Sequence, residues 1–113
     1  MSDCLFCKIA AGDIPADKLY EDDDVVAFRD ISPEAPQHFL VIPKKHLINL
    51  SDVAEEDEKL VGKMMRVSAI VAAETGITEG YRTVMNNGPK VGQVIFHLHM
   101  HVLGGRPMGW PPG

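Results

Sequence analysis

His97-Leu98-His99-Met100-His101-Val102-Leu103 is the stretch on which the reading of this chain turns. Three of the five histidines fall here at i, i+2 and i+4 among apolar residues. On an extended strand that spacing turns all three imidazoles to one face, about 6.6 to 6.8 Å apart per step, and sends Leu98, Met100 and Val102 toward a core. One buried histidine is ordinary, but three on one face are expensive to bury idle, because each ring needs a partner for both nitrogens. Two chemistries fit the spacing equally well. One is a three-histidine zinc site of the hydrolase type, with water in an open coordination position. The other is nucleophilic and acid-base catalysis, in which a neutral imidazole attacks phosphorus while its neighbours fix its tautomer, donate hydrogen bonds or assist the leaving group.

Around this segment the periodicities describe an α+β chain. Val94 to Leu103 reads as the last strand, stopped by Gly104-Gly105, and the tail Trp110-Pro111-Pro112-Gly113 is too proline-rich for regular structure. Leu19-Tyr20-Glu21 and Val25-Val26-Ala27-Phe28-Arg29 flank the acidic turn Asp22-Asp23-Asp24 as a hairpin. His38-Phe39-Leu40-Val41-Ile42, ending at Pro43, is a strand with His38 on the face of Leu40 and Ile42. Tyr81 to Met85 is another, ending in Asn86-Asn87-Gly88-Pro89. Leu60, Met64, Val67 and Val71 recur at helical spacing, predicting one long helix over about Glu55 to Thr75, with Ser51 in its capping region and Gly76 as its stop. The acids Glu55, Glu56, Asp57 and Glu58 then read as a solvated first turn favoured by the helix dipole. One helix against an antiparallel meander is the expected architecture.

The 113 residues, 45% of them hydrophobic, fit one domain spanning 1–113. The start Met1-Ser2-Asp3-Cys4 has no basic region followed by an apolar run, and no apolar stretch reaches the roughly 20 residues that span a bilayer, so a soluble cytoplasmic protein is expected, with no membrane partner. A net charge of -5 argues against a nucleic-acid binder, which needs a basic face, but leaves a single nucleotide open as ligand.

The resemblance to a known family extends well beyond the seven residues. His-φ-His-φ-His-φ-φ, with φ apolar, is the histidine triad signature. Phe28-Arg29-Asp30-Ile31-Ser32-Pro33-Glu34-Ala35-Pro36-Gln37-His38 through Pro43-Lys44-Lys45-His46, and the ending Val102 to Gly113, resemble the histidine triad nucleotide-binding branch. That resemblance implies a hydrolase of purine nucleoside phosphoramidates, working through a covalent nucleotidyl-histidine without a catalytic metal. His99 corresponds to the nucleophile, His97 and His101 flank it, and His38 faces it from the neighbouring strand. Asp30 corresponds to the acid that holds the ribose hydroxyls. Leu5, Phe6, Phe28 and Ile31 correspond to the base pocket, and Asn86, Gly92 and Gln93 to positions near the phosphate. Val94 stands where similar proteins often carry a phosphate-side serine, so a changed leaving-group preference or rate is expected. The resemblance also implies a homodimer with a continuous sheet, each tail bringing Trp110 toward the partner's site. A second class stays open beside the enzyme: a nucleotide-sensing interaction module with vestigial chemistry.

The two cysteines, Cys4 and Cys7, are too close together to staple a fold. A redox couple, half of a zinc site and a pair of small buried residues are the alternatives, the redox reading being weakest because no strand-to-helix context surrounds the pair. In the wider superfamily, proteins resembling galactose-1-phosphate uridylyltransferase pair such cysteines with a histidine after the Pro-Lys segment and with the first triad histidine. That resemblance implies a structural Zn2+ on Cys4, Cys7, His46 and His97.

Overall fold

The computed structural model describes residues 3–113; Met1 and Ser2, part of the start read above for a basic region and an apolar run, lie outside the described residues. Five strands form one antiparallel sheet: β1 (Lys18–Glu21), β2 (Val25–Arg29), β3 (Gln37–Pro43), β4 (Tyr81–Val84) and β5 (Met100–Gly104), in the order β1-β2-β3-β5-β4. The expected α+β class holds, but the sheet is not a simple meander. The chain leaves β3, runs through the long helix and lays down β4 as an edge, so that β5 returns between β3 and β4.

Two helices cover the sheet. α2 (Glu58–Glu74) buries Met64, Val67 and Val71 with Val25, Ala27, Phe39 and Val41. The other face, carrying Val26, Phe28, Leu40 and Ile42, is covered by Phe6 and Ile9 of α1 (Leu5–Ala11). Burial on both faces explains why Val25-Val26-Ala27-Phe28 and Phe39-Leu40-Val41-Ile42 run apolar without alternating. The short helix α1 was not expected from the sequence: its seven residues offer too few apolar repeats. It is closed by Gly12 in the left-handed region at φ 83°, as α2 is stopped by Gly76 at φ 80°.

Three local expectations are corrected. The helix start is split: a 3-10 turn over Glu55–Asp57 precedes α2, while Ser51 belongs to a separate turn, Leu50–Asp52, whose cap is Asn49. Asp57 is buried rather than solvated, because its Oδ1 accepts from Lys45 Nζ at 2.6 Å and its Oδ2 from Ala54 N–H at 3.0 Å. The last strand is Met100–Gly104, not Val94 to Leu103. Before Met100 the chain leaves the ladder, and Leu98 N–H donates to Leu47 O at 2.6 Å.

Strand register then sets the site. Opposite β5, Leu40 pairs with His101 and His38 with Leu103. His38 and His101 therefore project from the face that α1 covers, while Phe39 and Val102 point to α2.

Candidate active site

Because the strand begins only at Met100, the three triad histidines do not form an evenly spaced row. The rings of His99 and His101 lie with centroids 5.0 Å apart, whereas His97 is turned into a separate group with Cys4, Cys7 and His46. His97 and His99 are buried, as is His38.

Neighbouring groups dictate each tautomer. His97 Nε2 lies 2.8 Å from Pro43 O, so Nε2–H donates and Nδ1 is bare. His99 Nδ1 lies 2.7 Å from His97 O, so Nδ1–H donates and Nε2 keeps its lone pair. His38 Nδ1 accepts from Glu34 N–H at 3.0 Å, so its proton sits on Nε2 and is donated to His101 Nδ1 at 2.9 Å. His101 consequently carries its own proton on Nε2. Burial lowers the proton affinity of His97 and His99, and it pushes His101 down to about 4, helped by the neighbouring His99 and His38. All three rings are neutral at neutral pH.

A three-histidine metal centre is not what this geometry builds. Both nitrogens of His97 are spent, on Pro43 O and on the cysteine group, so it cannot share an ion with His99 and His101. Asp30, His38 and His101 also bring three ligand atoms together, but Glu34 N–H occupies His38 Nδ1. A metal on His38 Nε2 would require a proton on that same Nδ1, placing donor against donor.

The cysteine group differs. Cys4 Sγ and Cys7 Sγ lie 3.3 and 3.5 Å from His97 Nδ1, Cys7 Sγ lies 3.3 Å from His46 Nδ1, and the two Nδ1 atoms are 3.2 Å apart. Donor atoms around a tetrahedral zinc, at bond lengths of about 2.0–2.3 Å, lie roughly 3.3–3.8 Å from one another. The four residues thus fit such an ion in spacing, in donor type and in the Pro43 hydrogen bond that fixes the His97 tautomer. The 3-10 turn before α2 supports the same region, since Lys45, next to His46, is tied to Asp57.

Beside the histidines a cavity of about 210 Å3 is lined by Leu5, Phe6, Ile9, Phe28, Asp30, Ile31, Leu40 and Ile95. The four apolar residues expected at a base pocket are all in its wall, although Ile31 is 98% exposed and forms only its rim. Ile9, Leu40 and Ile95 were not foreseen; nothing in a sequence separates such lining from core. Phe6 joins pocket to triad, meeting Phe28 edge-on at 5.4 Å and His99 at 5.2 Å. Asp30 borders the cavity with Oδ1 accepting Ser32 N–H at 2.8 Å and Oδ2 3.5 Å from His38 Nε2.

The expected phosphate-side residues divide. Asn86 lies beside Gly92, and Val94 is 79% exposed. Gly92 and Gln93, however, spend their backbone N–H groups on Pro89 O and Gly88 O. The Gln93 side chain is buried as a clamp: Nε2 donates to Ile48 O at 2.8 Å and Ile95 O at 3.1 Å, and Oε1 accepts from Gly88 N–H and Asn49 Nδ2. Trp110, 82% exposed, stacks on Arg82 of the edge strand β4 at 5.9 Å and does not line the pocket of its own chain.

Known proteins share this sequence and this fold. The family model described as the HIT domain matches residues 11–108. An uncharacterized HIT-like protein of Synechococcus elongatus is 51% identical over 98% of this chain and 97% of its own. A HIT family hydrolase from Legionella pneumophila superposes with a TM-score of 0.95 at 48% identity, covering 98% of this chain and all of the other (100%). A histidine triad protein from Clostridium difficile gives 0.92 at 44% identity, over 96% of each chain. With a matching family model, sequence and fold, the chain belongs to the HIT domain family.

Proposed function

We propose that this protein is a nucleotide hydrolase that cleaves the P–N bond of purine nucleoside phosphoramidates through a nucleotidyl-histidine at His99. The observation that carries the proposal is the His99 tautomer: Nδ1–H is committed to His97 O, and burial keeps the ring neutral, so Nε2 holds a nucleophilic lone pair at neutral pH. The solved relatives named as HIT family hydrolases support the hydrolase class.

In this reading the base enters the Phe6–Phe28 pocket and Asp30 takes the ribose hydroxyls. Asn86 and the backbone around Val94 face the phosphate. His99 Nε2 forms a bond to phosphorus as the P–N bond breaks, its electron pair leaving with the amine. Water then attacks phosphorus and returns the electron pair to His99. His101 presents its Nε2–H to a phosphoryl oxygen or the departing nitrogen. Zn2+ on Cys4, Cys7, His46 and His97 would be structural and take no part in the reaction. Its contribution would be to pin His97, whose carbonyl holds the nucleophile. A homodimer joined along the open edge of β4 would carry Trp110 toward the neighbouring site.

Turnover of adenosine 5′-phosphoramidate by the wild type, its loss in His99→Ala, and a mass-detected nucleotidyl adduct on the His99 peptide after acid-free quenching are the expected results. Tight nucleotide binding with no turnover by the wild type would favour the sensing module. Abolition of activity on transient chelation, with the fold intact, would favour metal catalysis.

A further inference from the structure

The carboxylate of Asp30 touches more than the nucleotide pocket. Its backbone N–H donates to His38 O at 3.0 Å, which fixes it beside β3, and Oδ1 is held by Ser32 N–H. That leaves Oδ2, 3.5 Å from His38 Nε2, while the same Nε2 lies 2.9 Å from His101 Nδ1. His38 has one N–H on this nitrogen and two acceptors within reach.

Resting on the nucleotidyl-histidine reading above, we infer that Asp30 is also a positioning residue for proton delivery: by accepting the His38 N–H, it frees His101 Nδ1 to take up a proton. With His38 donating to His101, His101 is a neutral ring bearing a single proton on Nε2. If His101 were protonated while that donation persisted, two N–H groups would face each other at 2.9 Å. Turning the His38 N–H to Asp30 removes this conflict and allows an imidazolium at His101. The imidazolium gives its Nε2 proton to the amine nitrogen as the P–N bond breaks, the bonding pair staying on nitrogen. The neutral ring left behind then accepts a proton from the attacking water at Nε2 and gives up its Nδ1 proton to solvent, which restores the neutral resting ring with its proton on Nε2. Acid and base roles are thereby balanced over the two half-reactions.

The surroundings favour this assignment. The titratable groups against His101 are His38 from β3, His99 from its own segment and Asp30 from the end of β2. Arg82 of β4 is turned away to Gly109 and Trp110. Among the described residues Asp30 is therefore the one anion close to the pair, and its charge opposes burial and the two neighbouring imidazoles in setting the proton affinity of His101.

The test separates this role from ribose binding by using adenosine 5′-phosphoramidate and its 2′,3′-dideoxy analogue, which gives Asp30 no hydroxyl to hold. With the dideoxy substrate, Asp30→Asn and Asp30→Ala should each lower kcat by roughly tenfold or more, the size of a lost hydrogen bond to a charged group, with little change in KM. Equal kcat for wild type and both variants would overturn the inference and leave Asp30 a ribose ligand alone. A second readout needs no turnover: in 15N spectra of the nucleotide-free protein, Asp30→Ala should shift the His38 Nε2 and His101 Nδ1 signals and leave those of His99 in place. Unchanged His38 and His101 signals overturn it. If the wild type hydrolyses neither substrate, the proposed function fails, and the spectra still decide the Asp30–His38 contact.

Discussion

Replacing Gln93 with alanine distinguishes a clamp from a phosphate ligand. The amide is 2% exposed and satisfies two carbonyls, Ile48 O and Ile95 O, one backbone donor, Gly88 N–H, and the Asn49 amide. Alanine leaves the Ile48 and Ile95 carbonyls and the Gly88 N–H without this partner. At about 1 kcal/mol for each of the four lost hydrogen bonds, the loss is roughly 3–4 kcal/mol. That is a large share of the 5–15 kcal/mol typical of a small domain. Urea unfolding followed by circular dichroism should register it as a lower midpoint with an unchanged slope, and thermal unfolding as a fall of roughly 12–16 °C. Nucleotide affinity should fall with it, because the clamp ties the turn at Gly88 to the segment carrying Ile95. A variant destabilised by less than about 1 kcal/mol but with a markedly raised KM would refute the clamp and restore Gln93 to the phosphate.

Protein purified without chelator should hold close to one zinc per chain, and Cys4→Ser should lose it; only trace metal, unaltered by the substitution, would remove the ion from the account. Burial holds His101 down to about 4 from an ordinary value near 6.5, so the unfolded chain binds the extra proton first. Stability should rise with pH across that window and flatten above it, and His101→Gln should reduce the slope of unfolding free energy against pH there. Gly104→Ala would set a Cβ 2.8 Å from Ile77 Cδ1 and 2.9 Å from Ile77 Cβ, costing about 1–3 kcal/mol in a denaturation assay; an unchanged midpoint would mean Ile77 yields freely. Val94→Ser should alter relative turnover across phosphoramidates with different amine leaving groups, and identical ratios would detach this exposed position from leaving-group choice.

Most of the framework was legible in the sequence because its signals are local. The apolar runs of β2 and β3, the helical spacing from Leu60 to Val71 and the stop at Gly76 each report their own element. What escaped is tertiary. The alternation from Val94 to His99 mimics a strand, yet Leu98 N–H is claimed by Leu47 and the His97 ring is drawn to the cysteines. Asp57 reads as a solvated acid until Lys45 is seen folding back on it from beyond β3. Gln93 looks like a phosphate ligand because its four side-chain partners lie on three separate segments, a convergence no window of sequence contains. At the site, Asp30 and the pocket aromatics came from family resemblance, since an isolated Asp before Ser-Pro is indistinguishable from a turn residue.

The pairing of Leu40 with His101 has a consequence for how this protein tolerates change. A slip of one residue between β3 and β5 would carry His38 and Leu40 to the α2 side and bring Phe39 and Val41 out of it, exchanging the two faces together. Hydrophobic packing and histidine alignment are therefore written in a single register. Chains that misalign the rings also expose the core, so a misaligned histidine site cannot persist on an otherwise well-packed fold.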